Sequence, residues 1–254
     1  MAELINKIKK KVRLPAPLFK ILNRAKPSFD CPVCHYHGPF RDFNNFGGFR
    51  QHVECPQCGT LERHRVQYLV VQEILSTLDT AKMKMLHFAP EPFFRKFFTA
   101  RFGQYETADL CMKGVDYHVD LQSLPFPDAT YDFVFASHVL EHIPDDKKAI
   151  QEIRRILKPG GLAILPVPVI CEKTVEYPQA NPLEAYHMRA PGLDYHHKFK
   201  PYFASVETRT SESLPEKFQP FIYEDRSFWP TKEAPLRPAM SGARHIDVVP
   251  ICRA

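Results

Sequence analysis

The stretch YDFVFASHVLEHIPDDKKAIQEIRRILKPGGLAILPVPVI, residues 131–170, reads as strand, helix and strand in succession. YDFVFASHVL is a short run rich in aromatic and β-branched residues. DDKKAIQEIRRILKPGG has helical apolar spacing, and LAILPVPVI returns to strand character. The pattern repeats upstream, with MLHFA as strand, PFFRKFFTARF as helix, and YETADL and VDYHVDL as strands; the chain closes on HIDVVPICRA as a last strand. Strands alternating with helices predict an α/β fold, a Rossmann-like, doubly wound and mostly parallel sheet covered on both faces. Ligands of such sheets lie outside the carboxyl ends of the strands. The candidates there are His87 and Ala89, then Asp109, then Asp120 and Leu121, then Ser137 and His138. Asp109 stands twenty-two residues beyond His87, where an acid accepts the ribose hydroxyls of an adenosine cofactor.

The run from Asp120 to Pro166, with LPFPDATYD, VLEH and LKPGG, resembles class I S-adenosylmethionine-dependent methyltransferases, and the likeness covers roughly residues 82–254. The resemblance implies that Asp109 binds ribose and that Asp120 approaches the adenine amine with Leu121 against the ring. It also implies that the first turn holds the methionine part. That turn departs from the family, which carries an acid and a Gly-x-Gly-x-Gly run. Here His87 takes the acid position, and Ala89, Glu91 and Phe93 take the glycine positions. S-adenosylmethionine has no pyrophosphate to pack against bare backbone, so Ala89 suffices for close approach. Pro90 and Pro92 stiffen the turn, and Glu91 is expected to supply the carboxylate for the cofactor ammonium.

Upstream, CPVCHYHGPFRDFNNFGGFRQHVECPQCGT sets Cys31 and Cys34 twenty residues before Cys55 and Cys58. Each CxxC lets one tight turn present two thiolates about 2.3 Å from a tetrahedral ion, so the spacing predicts a closed, structural zinc site in a ribbon-like unit at residues 30–60. This unit followed by LERHR and LHFAPE resembles a zinc-bearing subgroup of the same methyltransferases. LERHRVQYLVVQEILSTL then reads as a helix whose Arg63, His64 and Arg65 either meet an anionic substrate or face solvent, the solvent-facing reading being preferred.

His138, Glu141 and His142 match the H-x-x-E-H pattern of inverted zinc peptidases, but a strand precedes them and Pro144 follows, which excludes the long helix that chemistry needs. The same residues, joined by His187, His196 or His197, are also a candidate divalent-ion set. VLEH occurs in metal-free relatives too, and the metal-free reading is preferred. His138 is the first candidate base and His187 the second. The loop CEKTVEYPQANPLEAYHMRAPGLDYHHKFKPYF is longer than a connector needs, so an acceptor-recognising insertion is expected at about 170–240 within a domain of 61–254.

The net charge of +5 is uneven: residues 1–26 carry eight basic side chains against one acid, +7, which leaves −2 for the rest. A nucleic-acid surface over the whole body is not implied, and a basic amphipathic arm at 1–29 is predicted, built on Leu4, Ile5, Ile8 and Val12. Such an arm suits peripheral contact with an anionic membrane through residues 1–26, or docking on its own domain. No apolar run spans a bilayer and no signal-peptide pattern opens the chain, so a cytoplasmic protein is expected. The expected activity is methyl transfer from S-adenosylmethionine to a small-molecule, sugar or glycan hydroxyl. RNA methylation and a non-catalytic zinc-binding adaptor are the rivals.

Overall fold

The computed structural model describes residues 13–45, 48–232 and 234–254, so Leu4, Ile5, Ile8 and Val12 of the arm lie outside the described residues. A seven-stranded sheet is formed by β1 (Lys84–Phe88), β2 (Gln104–Asp109), β3 (Tyr117–His118), β4 (Tyr131–Ala136), β5 (Leu157–Ile164), β6 (Ser205–Thr210) and β7 (Val248–Arg253), in the order β6-β7-β5-β4-β1-β2-β3. The pairs among β1 to β5 are parallel, whereas β7 runs antiparallel to both β5 and β6. The architecture is Rossmann-like, α/β and mostly parallel, with the last strand inserted between the fifth and sixth of the usual 3-2-1-4-5-6 order.

Four helices are used below: α1 (Ala16–Leu22), α2 (Glu62–Leu75), α3 (Pro92–Thr99) and α4 (Asp146–Ile156). Strand alternation sends Leu86, Val134 and Ala136 toward Ile150, Ile153 and Ile156 of α4. It sends Met85, Phe133 and Phe135 toward Val66, Val70 and Val71 of α2 and Phe94, Phe97 and Phe98 of α3. Both faces of the sheet are thereby covered. Asp145 caps α4 by accepting the Lys148 N–H at 3.0 Å. The helix predicted to run through Gly161 stops at Ile156, and β5 begins at Leu157. Pro159 disfavours helical backbone at Lys158, which fixes the stop.

The entry to β2 is tight. A Cβ on Gly103 would lie 2.0 Å from the Ala81 carbonyl oxygen, a backbone atom that cannot swing aside. Gly103→Ala is therefore expected to cost about 1–3 kcal/mol, read as a lower urea midpoint at unchanged slope.

The cysteine unit is stitched into the rest of the chain. Its strands Arg41–Asn45 and Gly48–Glu54 are extended by Ile222–Glu224 and Arg244–His245 into one four-stranded sheet. The insertion expected at about 170–240 is likewise not continuous. Val175–Asn181 and His187–Ala190 form a hairpin, but Ser205–Thr210 returns as the edge strand β6. On α1, Phe19 is buried beneath the Arg41 guanidinium, 4.4 Å from its ring centre, while Leu18, Ile21 and Leu22 are exposed. Among the described residues, no helix is long and apolar enough to cross a membrane.

Candidate active site

Register brings the predicted residues to one edge. Phe88 of β1 lies beside Ala108 of β2 and Ala136 of β4, so Ala89, Asp109 and Ser137 follow side by side. The Ala89 N–H donates to Ala108 O at 2.9 Å, and the Val119 N–H to Asp109 O at 3.1 Å, which draws Asp120 to the same edge. Ala89 has φ +46° and His138 has φ +55°, left-handed backbone at the ends of neighbouring strands. Ala89 thus adopts the conformation that the missing glycine would favour, at a strain typical of functional edges.

Glu91 occupies the N-cap position of α3, immediately before Pro92, and its side chain makes no capping hydrogen bond. Its Oε1 accepts from Arg63 Nη2 at 2.6 Å and from His64 Nε2 at 3.0 Å, and its buried Oε2 has no hydrogen-bond partner. His64 Nδ1 accepts the Leu61 N–H at 3.1 Å, which leaves the ring proton on Nε2, facing Glu91. Burial pushes the Glu91 carboxyl up, but the His64 hydrogen bond and the Arg63 charge outweigh it and hold the value at about 2. The expectation that Arg63, His64 and Arg65 face solvent is overturned for all three. Arg65 is fully buried, donating to Val53 O, Thr60 O, Phe218 O and Gln219 O at 2.9–3.0 Å.

Asp109 is half-buried and its Oδ1 takes the N–H groups of Cys111 and Met112 at 2.8 and 2.7 Å. Asp120 is exposed and caps the following turn through Gln122 N at 2.8 Å. Two expected cofactor contacts require correction at the side chain. His87 is 1% exposed, enclosed by Phe98 and Phe135 and hydrogen-bonded to the Tyr105 hydroxyl at 2.9 Å, and burial lowers its pKa to about 3. It is a neutral core residue. Ser137 donates its hydroxyl to Gln67 of α2 at 2.9 Å inside the core. Leu121 packs with Leu124 and Tyr131 in the core cluster just below the edge.

Beside this edge lies a cavity of about 240 Å³ whose lining includes Arg63, His138, His187, Arg226, Arg237 and Asp247. Each of these arginines has a carboxylate partner: Glu91 for Arg63, Glu224 for Arg226 and Glu184 for Arg237. Burial lowers His138 well below the ordinary imidazole range, with the Arg63 charge adding to it, and its Nε2 has no partner. Burial also lowers His187, to about 4, and leaves Nδ1 unpartnered. Asp247, absent from the predicted set, is pushed up to about 7 by burial and has a free Oδ2. Nothing in HIDVV distinguishes it from an ordinary strand-entry Asp.

The cysteines meet as predicted. Cys31 and Cys58 Sγ are 3.6 Å apart, as are Cys34 and Cys55 Sγ, and all four lie within 4.8 Å of one another. A tetrahedral ion with bonds of about 2.3 Å holds its sulfurs about 3.8 Å apart, so the cluster fits zinc. The two knuckles are equivalent. The Cys31 N–H donates to Tyr36 O and the Cys55 N–H to Thr60 O, and His35 (φ +60°) and Gly59 (φ +75°) occupy matching left-handed positions. Downstream, Glu141, His142 and His187 form a second group within 4.8 Å; His196 and His197 do not join it.

A profile described as a methyltransferase domain matches residues 98–165, which hold Asp109, Asp120, His138, Glu141 and His142. A sterol 4-C-methyltransferase of Caenorhabditis elegans is 46% identical over 46 residues, 18% of this chain and 14% of that protein. The 27-O-demethylrifamycin SV methyltransferase of Amycolatopsis mediterranei is 41% identical over 54 residues, 21% of this chain and 20% of that one. The chain thus spans a fifth or less of the length of these curated relatives. A solved S-adenosylmethionine-dependent methyltransferase from Mesorhizobium loti superposes with a TM-score of 0.48 at 12% identity, covering 74% of this chain and 98% of that one. Residues 98–165 are thus similar to a methyltransferase domain, and they lie in a Rossmann-like sheet that follows a four-cysteine unit.

Proposed function

We propose that this chain transfers a methyl group from S-adenosylmethionine to a hydroxyl of a small molecule, sugar or glycan, and that its four thiolates hold a structural zinc. The observation that carries the reading is Glu91, a buried carboxylate anchored at Oε1 and open at Oε2, at the turn where the donor's ammonium needs an anionic partner. On this reading Ala89 admits the donor to the backbone, Asp109 accepts the ribose hydroxyls, and Asp120 meets the adenine amine above Leu121. Transfer is an in-line displacement. The acceptor oxygen attacks the methyl carbon, the carbon–sulfur electron pair returns to sulfur, and the hydroxyl proton passes to His138 Nε2, with His187 the alternative base.

Each arginine of the cavity faces a carboxylate, which supports an uncharged acceptor over RNA. The two relatives named for a sterol and for demethylrifamycin SV support a small-molecule acceptor. Exposed Leu18, Ile21 and Leu22 support membrane contact through residues 1–26, which suits a lipid-linked acceptor. The test is incubation with radiolabelled S-adenosylmethionine and fractionated lysate. Label is expected in small metabolites or glycolipid. Label in RNA establishes the rival methyltransferase, and calorimetry that detects neither the donor nor its demethylated product leaves the adaptor. Asp109→Ala is expected to weaken donor binding at least tenfold, about 1.4 kcal/mol, and to abolish labelling at limiting donor.

A further inference from the structure

Strand direction carries one more side chain to the cavity than the ends of the parallel strands supply. β7 runs antiparallel to β5, so the residue before its first position, Asp247, reaches the edge at which β4 and β5 end. The Leu165 N–H donates to Pro250 O at 3.3 Å and the His138 N–H to Pro166 O at 2.9 Å, which ties the three strands together there. Asp247 is 2% exposed and lines the cavity. Its N–H donates to the Ser211 hydroxyl at 2.8 Å, the Ser211 N–H donates back to Asp247 O at 3.1 Å, and the Val248 N–H donates to Asp247 Oδ1 at 3.0 Å. Oδ2 alone is left over, buried and without a partner. Burial raises this carboxyl to about 7, with Glu62 adding to the rise and the Val248 N–H, Arg63 and Arg50 opposing it. A carboxyl kept dry with one oxygen unsatisfied weakens the fold, so its place calls for a ligand.

The rest of the lining says what kind. His138 Nδ1 lies 3.5 Å from Glu141 Oε1, which leaves Nε2 as the lone-pair nitrogen, and that atom and His187 Nδ1 are also buried without partners. Arg50 Nε and Arg237 Nε are donors without a hydrogen-bonded acceptor, although each guanidinium is ion-paired, to Glu62 and to Glu184. A hydroxyl both donates and accepts, so neighbouring hydroxyls match a lining that offers both kinds of vacancy. We propose that Asp247 is an acceptor-binding residue whose Oδ2 takes a hydrogen bond from the hydroxyl next to the one methylated, so that the acceptor is a vicinal diol on a sugar or cyclitol ring. Val169, Ile170 and Ile222 give an apolar wall for the C–H face of that ring. At about 240 Å³ the cavity lies below the roughly 300–1,000 Å³ of drug-sized sites, which suits one ring. The assignment rests on the reading of this cavity as the acceptor site of a methyl transfer.

The test has a binding arm and a labelling arm. Saturation-transfer NMR on the full chain, without donor and at about pH 8 where Asp247 is ionised, uses myo-inositol and the methyl glycosides of glucose, galactose and mannose, with cyclohexanol as the single-hydroxyl control. At least one of the rings is expected to bind and cyclohexanol is not. Asp247→Asn keeps a partner for the Val248 N–H but presents a donor in place of Oδ2, and is expected to weaken that binding at least about tenfold. Its urea midpoint should equal or exceed the parent's, because no buried charge remains; a carboxylate kept only for structure would lower the midpoint and leave binding alone. Should Asp247→Asn fail to fold, Asp247→Ala gives the same readout. In the labelling arm, the lysate fraction that takes label from S-adenosylmethionine is oxidised with periodate, which cleaves vicinal diols, and reduced with borohydride before incubation. Label is expected to fall at least about tenfold. No ring bound by the parent, binding unchanged in the Asp247 variants, or label undiminished by periodate each overturns the proposal. Ring binding that depends on Asp247, with no fraction labelled, strikes the methyl-transfer reading and leaves the diol site standing.

Discussion

Cys55→Ser is expected to lose the zinc proposed for the four thiolates, to melt at least about 10 °C below the parent chain, and to bind S-adenosylmethionine poorly. The unit's own core is four buried residues, Cys31, Tyr36, Phe40 and Cys55, too small to fold unaided. Structural zinc supplies about 10 kcal/mol or more in isolated fingers, and that term disappears with one ligand. The damage then travels inward. Arg65 donates to Val53 O and Thr60 O within the unit, and to Phe218 O and Gln219 O beyond it. When the unit unravels, a fully buried guanidinium loses half its acceptors, a loss of about 3–5 kcal/mol. Two residues earlier on the same helix, Arg63 goes with it, and Arg63 anchors Glu91. Differential scanning fluorimetry beside a colorimetric zinc assay checks this, and a melting point within about 2 °C of the parent would sink it.

Glu91→Gln should weaken donor binding about 100-fold, or about 2.7 kcal/mol, and lower stability by about 2 kcal/mol. The amide cannot neutralise the ammonium, and it leaves Arg63 half-buried with no counter-charge. The pH dependence has a definite sign. The carboxyl falls from its ordinary 4.5 to about 2 in the folded chain. A depressed carboxyl contributes stability that is fully present above about pH 4.5 and is lost as pH falls toward 2. The parent should therefore show a steeper acid-unfolding slope in that window than Glu91→Gln, the remaining slope coming from other depressed carboxyls such as Asp42, Glu152 and Glu176. Calorimetry with S-adenosylmethionine and urea titrations between pH 2.5 and 6 measure both effects. Donor affinity equal to the parent's would remove Glu91 from the site.

Legibility in the sequence followed the range of each interaction. The two CxxC pairs and the acids at strand ends were readable because their chemistry is set within a few residues of chain. The parallel sheet was readable from apolar runs and intervening helices. Ala89 was readable as a tolerated substitute, and its left-handed backbone supplies the reason. His87 and Ser137 were misjudged because strand ends alternate faces, and both side chains turn inward, to Tyr105 and to Gln67. Arg63 and His64 look like a solvated basic patch until folding sets them against Glu91, about 28 residues away. The grouping of His187 with Glu141 was one option among three histidines; only the hairpin strand that carries both His187 and Arg189 selects it.

The pairing of Gln51 with Tyr223 bears on how the chain is made. About 170 residues separate the partners, and at roughly 5–20 residues per second a ribosome needs on the order of 10–30 s to deliver the second after the first. Through that interval the nascent strand Gly48–Glu54 offers an open edge to any extended neighbour, including other nascent copies. Arg50 and Glu54 along that edge place charge where stray pairing would begin. Metal capture at the cysteines can precede completion of the sheet, so supply of zinc during translation should govern the yield of soluble chain more than supply after release.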